Sequence, residues 1–145
     1  MVGRWRDLLA ERTEEAARML GAVPGVHGLV LGGSVGRGEA WPMSDIDLLP
    51  ICAVEAHAGI AQRHAELIDW WAASGRAQTL DVGWLAFTPD EVRAAVAGGA
   101  EGAVARMGDR RWFHGIDKAF GGRGVADPEG LAESFARWAT AVDRR

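Results

Sequence analysis

Asp45 and Asp47 are separated by one residue and begin the run Asp45-Ile46-Asp47-Leu48-Leu49-Pro50-Ile51, which reads as a strand. In an extended strand this spacing puts both carboxylates on one face. Like charges so placed repel unless something positive lies between them. A hard divalent cation such as Mg2+ would satisfy both, because it takes oxygen ligands and nucleotide phosphates. Upstream lies Gly33-Ser34, directly after the apolar run Val26-His27-Gly28-Leu29-Val30-Leu31. Backbone N–H groups at such a strand exit, aided by the Ser34 hydroxyl, can grip phosphate oxygens. A larger side chain at position 33 would block that approach. A third carboxylate stands in Thr79-Leu80-Asp81-Val82-Gly83-Trp84-Leu85. Alternation sends Leu80, Val82 and Trp84 into the core and Asp81 to the opposite face. If that face also carries Asp45 and Asp47, the three carboxylates make a two-metal centre possible.

The surrounding elements must position these groups. Trp5, Leu8, Leu9, Arg12, Ala16, Met19 and Leu20 recur near the helical period, and Gly21 and Pro24 end that helix. Residues 26–31 read as a buried strand stopped by Gly32-Gly33. Residues 34–44 read as a loop, with a short helix beginning near Ser34. Pro50 cannot donate to a sheet ladder, so the second strand is expected to fray there or lie at an edge. Residues 54–74 read as a helix burying Ile60, His64, Leu67, Ile68 and Trp71, with Gly75 as its C-cap. A third strand is expected over Thr79–Phe87. Thr88-Pro89-Asp90-Glu91 is a helix start: Thr88 caps, Pro89 fits the first turn, and the acids favour the positive end. Residues 98–124 are glycine-rich and read as irregular. Asp127-Pro128-Glu129 starts a last helix with a stripe of Leu131, Phe135, Trp138 and Val142. The expected class is α/β, a small mixed sheet flanked by helices. We expect one domain over residues 1–145, with its catalytic core at about 22–97 and a C-terminal loop and helix at 98–145.

The chain has 145 residues, 48% hydrophobic and 25% charged, with a net charge of −4. That balance argues against a broad nucleic-acid surface. No apolar run is long enough to suggest a membrane span, and the start of the chain lacks an apolar signal segment. One cysteine, Cys52, rules out an internal disulfide framework, and a cytoplasmic location is expected. His57 and His64 lie on one helix without a third ligand, so surface or half-buried histidines are favoured over a zinc site. The group Arg106, Arg110, Arg111, Trp112, His114 and Lys118 has two readings: a base-stacking and triphosphate-binding element, or a packed loop with solvated arginines, which is slightly favoured. The seven tryptophans read chiefly as packing residues, while Trp41, inside the loop between the two motifs, has a second reading as a contact to a nucleotide or substrate.

Gly33-Ser34, ten intervening residues and then Asp45-Ile46-Asp47, together with Arg37-Gly38-Glu39-Ala40, resemble the nucleotidyltransferase superfamily that includes DNA polymerase β, the kanamycin and lincosamide nucleotidyltransferases and the minimal nucleotidyltransferases. The likeness is specific over residues 26–51 and extends to Phe87. Val35 departs from the arginine that many members carry after the serine. The resemblance implies that Asp45 and Asp47 bind two Mg2+ ions and that Asp81 ligates one of them and accepts a proton as general base. Gly33 and Ser34 would hold phosphates of a nucleoside triphosphate, with Ser44 beside them. Arg37 would neutralise phosphate or else form a surface ion pair. The implied reaction moves a nucleoside monophosphate, AMP from ATP, to a hydroxyl of a small antibiotic-like molecule or a protein, and releases pyrophosphate. An alternative is a minimal nucleotidyltransferase antitoxin that binds and modifies a helical HEPN-type toxin. A homodimer or such a partner would complete the site.

Overall fold

The computed structural model describes residues 4–144; residues 1–3 and 145 lie outside it. The sheet consists of β1 (Val26–Gly32), β2 (Ile46–Cys52), β3 (Leu80–Asp81) and β4 (Arg123–Val125), in the order β3-β2-β1-β4. β1 runs antiparallel to both β2 and β4, while β2 and β3 are parallel. This is the mixed sheet the sequence suggests.

Alternation along β1 and β2 divides the apolar residues between two helix layers. Leu29, Leu31, Ile46 and Leu48 join a core with Leu9, Leu20, Ile60, Leu67 and Trp71. These come from α1 (Arg4–Gly21) and α3 (His57–Ala73), the latter entered through a tight turn at Val54–Ala56. On the opposite face Val30, Leu49 and Ile51 join Phe87, Val92, Ile116, Phe135 and Trp138. That layer is built from α4 (Pro89–Ala97), α5 (Gly99–Arg106), α6 (Arg110–Ala119) and α7 (Leu131–Thr140). A short helix, α2 (Gly33–Gly36), follows β1 directly.

Several expectations hold locally. Thr88 accepts from the Glu91 amide at 3.2 Å while the Glu91 carboxylate accepts from the Thr88 amide at 2.9 Å, a reciprocal cap at the start of α4. Asp127 caps the last helix, though from further upstream than its position suggests. Its carboxylate accepts from the amides of Ala132 and Glu133, both at 2.9 Å, and α7 starts at Leu131.

Four expectations are corrected. The third strand is two residues long, because Gly83 adopts φ +98° and turns the chain away. Leu80 and Val82 are buried as alternation requires, but Trp84 lies beyond the turn and is 59% exposed. Pro50 lies inside β2, a central strand that continues to Cys52. Its carbonyl accepts from the Phe87 amide at 3.1 Å on the side where β3 has already ended, so no ladder donor is missed there. Asp45 precedes β2 and does not belong to it. Finally, residues 98–124 are largely ordered into α5, α6 and β4. Asp109 caps α6 by accepting from the amides of Arg111 and Trp112, and Gly115 inside α6 lets it approach Phe87, whose ring lies 2.6 Å from where a Cβ would stand.

Candidate active site

Sheet register brings the separated motifs into one row. Gly32 pairs with Asp47, and Asp47 pairs with Asp81. Residues in one row of a sheet present their side chains to the same face, so Asp47 and Asp81 point together toward the layer containing α6. Gly32 makes close packing possible at that row. A Cβ there would lie 2.1 Å from the backbone oxygen of Lys118, so only glycine lets the last turn of α6 lie directly over the strand.

The consequence is a charge cluster. The Lys118 Nζ lies 2.8 Å from Asp81 Oδ2 and 3.3 Å from Asp47 Oδ1. The lysine side chain is only 10% exposed. Asp47 and Asp81 therefore share one positive charge, the Lys118 ammonium, whereas the sequence places a shared cation between Asp45 and Asp47. Burial pushes the Asp47 carboxyl above its ordinary value against the pull of Lys118. Burial pushes Asp81 up as well, but its shorter hydrogen bond to Lys118 and the lysine's charge outweigh this and hold it below the usual carboxylate value.

Gly33 abuts the same group. It has φ +61°, and a Cβ there would lie 2.0 Å from Asp47 Oδ2. Both the conformation and the contact call for glycine. The loop beyond is braced by Ser44, which is 2% exposed. The Ser34 hydroxyl donates to Ser44 Oγ at 3.0 Å, the Trp41 amide donates to the same oxygen at 2.8 Å, and the buried Gln78 amide donates to the Ser44 carbonyl. Ser44 acts on the site through Ser34. Arg37 pairs with Glu39 at 2.8 Å and also borders the cleft. Trp41 is 59% exposed on the loop surface.

A cleft of about 230 Å³ opens beside Asp47, lined also by Gly33, Arg37, Trp84, His114, Asp117 and Lys118. A neighbouring recess of about 650 Å³ shares Trp84 and His114 and adds His57 and Arg110. Trp84 meets His114 edge-on at 5.8 Å, and the Lys118 ammonium stands 5.3 Å from the Trp84 ring centre. Asp45 is exposed and has no hydrogen bond or ion pair among the described residues. Among those residues no three His, Cys, Asp or Glu side chains gather closely enough to hold an ion. Asp47 and Asp81 do gather, and their hard oxygen donors around a shared cation fit a divalent metal.

The aromatic-basic group divides. Arg111 donates to Glu91 at 2.5 and 3.0 Å and to the Ala86 carbonyl at 2.6 Å, and its guanidinium lies 4.2 Å from the Phe87 ring centre. Trp112 packs on Phe87 at 4.4 Å and stacks with Phe135 at 6.3 Å. Those two residues are structural. His114 and Lys118 line the cleft, on the side of the triphosphate-binding alternative and against the slightly favoured packed-loop reading. One signal was present: Lys118 is the single lysine of the chain. His64 is also structural, with Nε2 2.7 Å from the Leu80 carbonyl, which ties α3 to β3. Burial raises the Cys52 thiol to about 11, which leaves it an inert core group.

The family model of the nucleotidyltransferase domain matches residues 12–91, more than half of the chain. The chain belongs to the nucleotidyltransferase domain family, and it is a transferase. Comparison with curated proteins and with solved structures gives no match. The matched span contains the second half of α1, the Gly33-Ser34 turn, Asp45, Asp47 and Asp81, but stops before α6 and Lys118. No helix among the described residues is long and apolar enough to cross a membrane.

Proposed function

We propose that the chain transfers a nucleoside monophosphate, AMP from ATP, to a hydroxyl of a small molecule or a protein, with release of pyrophosphate. The observation that carries this reading is the meeting of Asp47 and Asp81 around one shared cation, beside a glycine pressed against Asp47. In this reading Asp45, Asp47 and Asp81 hold Mg2+, two ions in all, with Asp45 joining from the exposed entrance of β2. Bound Mg2+ would neutralise the triphosphate and make an acceptor hydroxyl more acidic.

The chain's own groups divide the remaining work. Gly33 and Ser34 bind phosphate oxygens through backbone N–H and hydroxyl, and Ser44 fixes the Ser34 hydroxyl. Arg37 offers its charge at the cleft wall. Asp81 is the general base that accepts the acceptor's proton. Lys118 keeps Asp47 and Asp81 together before substrate arrives, and then faces the incoming phosphates. The exposed indole of Trp84 offers a flat apolar wall for the nucleobase or the acceptor.

Binding can be tested without knowing the acceptor. Titration calorimetry with Mg2+ and a nonhydrolysable ATP analogue should give saturable binding. Asp47→Asn should weaken it at least about tenfold, because a charged oxygen ligand is lost. Wild-type affinity in that variant would remove Asp47 from the metal site and this function with it.

A further inference from the structure

A cavity of about 720 Å³ lies away from Asp47 and Asp81, between α1, β4 and the segment after β1. Its floor is apolar: Trp5, Leu9, Ala17, Val35 and Val125. Its rim carries Arg6, Arg18 and Arg123 against one carboxylate, Glu14. None of the three arginines has an ion pair among the described residues, and Arg6 rests on the Trp5 ring at 4.3 Å. Elsewhere among the described residues Arg37, Arg63, Arg93, Arg111 and Arg137 pair with carboxylates, while Arg12, Arg76, Arg106 and Arg110 do not, so the hollow stands out in gathering three unpaired arginines at one apolar rim. Unpaired cations around an apolar hollow of this volume match a small molecule with an apolar body and an anionic head.

A second observation points to the same place. Ala126, at the cavity edge, has φ +47° and is the one non-glycine residue with positive φ among those described. Such a conformation is strained and persists where the surroundings over-determine it, a pattern frequent at ligand clamps. Gly21 makes room for it, since a Cβ there would lie 2.6 Å from the Ala126 Cβ.

We propose that this hollow is a second binding site, for a small amphipathic anion, separate from the nucleotide cleft. The apolar body lies against Leu9, Val35 and Val125, and the anionic head pairs with Arg18 and Arg123. Val35 and Ala40 line the hollow and flank the loop that follows Gly33, so an occupant touches that loop from behind.

The probes are anilinonaphthalene sulfonate, an amphipathic anion, and N-phenylnaphthylamine, its uncharged counterpart. Neither requires nucleotide or metal, so the outcome is independent of the proposed transfer reaction. Fluorescence titration should give saturable one-site binding of the anion. Ala10→Phe should abolish it by filling the hollow from the exposed face of α1. Arg18→Gln with Arg123→Gln should weaken the anion about tenfold and leave the uncharged probe unchanged. Circular dichroism and melting of each variant establish that it folds. Lack of saturable binding, or anion affinity unaffected by either folded variant, would overturn the site. So would equal losses for the two probes in the arginine variant.

Discussion

The two ends of α6 stand less than three turns apart and carry positive charge to opposite ends. Near its start, Arg111 is locked by Glu91, the Ala86 carbonyl and the Phe87 ring, while Trp112 joins the aromatic core. Near its end, Lys118 points at two carboxylates that belong to other strands. The first charge closes a contact that the fold completes by itself. The second holds together a pair of acids that gain nothing structural from being adjacent. A helix anchored at one end can hold a cation steadily at the other, and that is the positional accuracy a site needs.

The strongest break in this comparison is Trp112→Ala. Its ring contacts Phe87, Phe135 and Trp138, with centres 4.4, 6.3 and 5.9 Å away. Its loss should cost about 3 kcal/mol of folding stability in chemical denaturation, as for other large aromatic truncations. Nucleotide binding measured well below the unfolding transition should stay close to wild type. A large loss of affinity in the still-folded variant would show that the two ends of α6 are not separable.

Lys118→Met should come next, at about 2 kcal/mol without metal. Removing the ammonium leaves Asp47 and Asp81 facing each other half-buried, and partial exposure keeps the cost below that of a fully buried pair. The sign should change with divalent cation. Mg2+ should raise the variant's melting temperature more than the wild type's, because no resident cation has to move. Equal metal responses would remove Lys118 from the role of stand-in cation.

The sequence makes one half of this comparison far easier to read than the other. Asp47, Gly33 and Ser34 are close in the chain and legible as a motif, but the strand period that paired Asp47 with Asp45 fails because β2 begins only at Ile46. Asp81 required only that alternation hold from Leu80 to Val82, which it does. Extending the same alternation to Trp84 failed, because Gly83 breaks the strand. α6 was hidden by glycine richness. Gly115 there serves close packing against Phe87, yet in a linear reading it resembles a breaker. Lys118 was legible only as a member of the less favoured triphosphate-binding group and not as a partner of Asp47, since it lies 71 residues away and reaches it only because Gly32 admits the α6 backbone. Ser44 posed a different difficulty: motif reasoning puts it at the nucleotide, while its burial and its bond to Ser34 make it a brace.

The smallest expected effect belongs to the anchored end and is seen through pH. Hydrogen bonding to Arg111 is the main cause holding Glu91 down at about 2, from an ordinary 4.5. A carboxyl depressed on folding stabilises the native state above its unfolded value, and that contribution fades as pH falls toward its folded value. The window is therefore about pH 4.5 down to about 2. Because both partners are more than a third exposed or close to it, solvent screening should reduce the contribution to about 1 kcal/mol. Glu91→Gln isolates it, since glutamine can still accept from the Thr88 amide and preserve the cap. Melting temperatures of the two proteins should differ by a constant amount above pH 5 and converge as the solution is acidified. A gap that stays constant to pH 2.5 would mean that the Arg111 anchor works by stacking on Phe87 and not by charge. The contrast between the two ends of α6 would then be packing against electrostatics, a sharper division than two ion pairs with different partners.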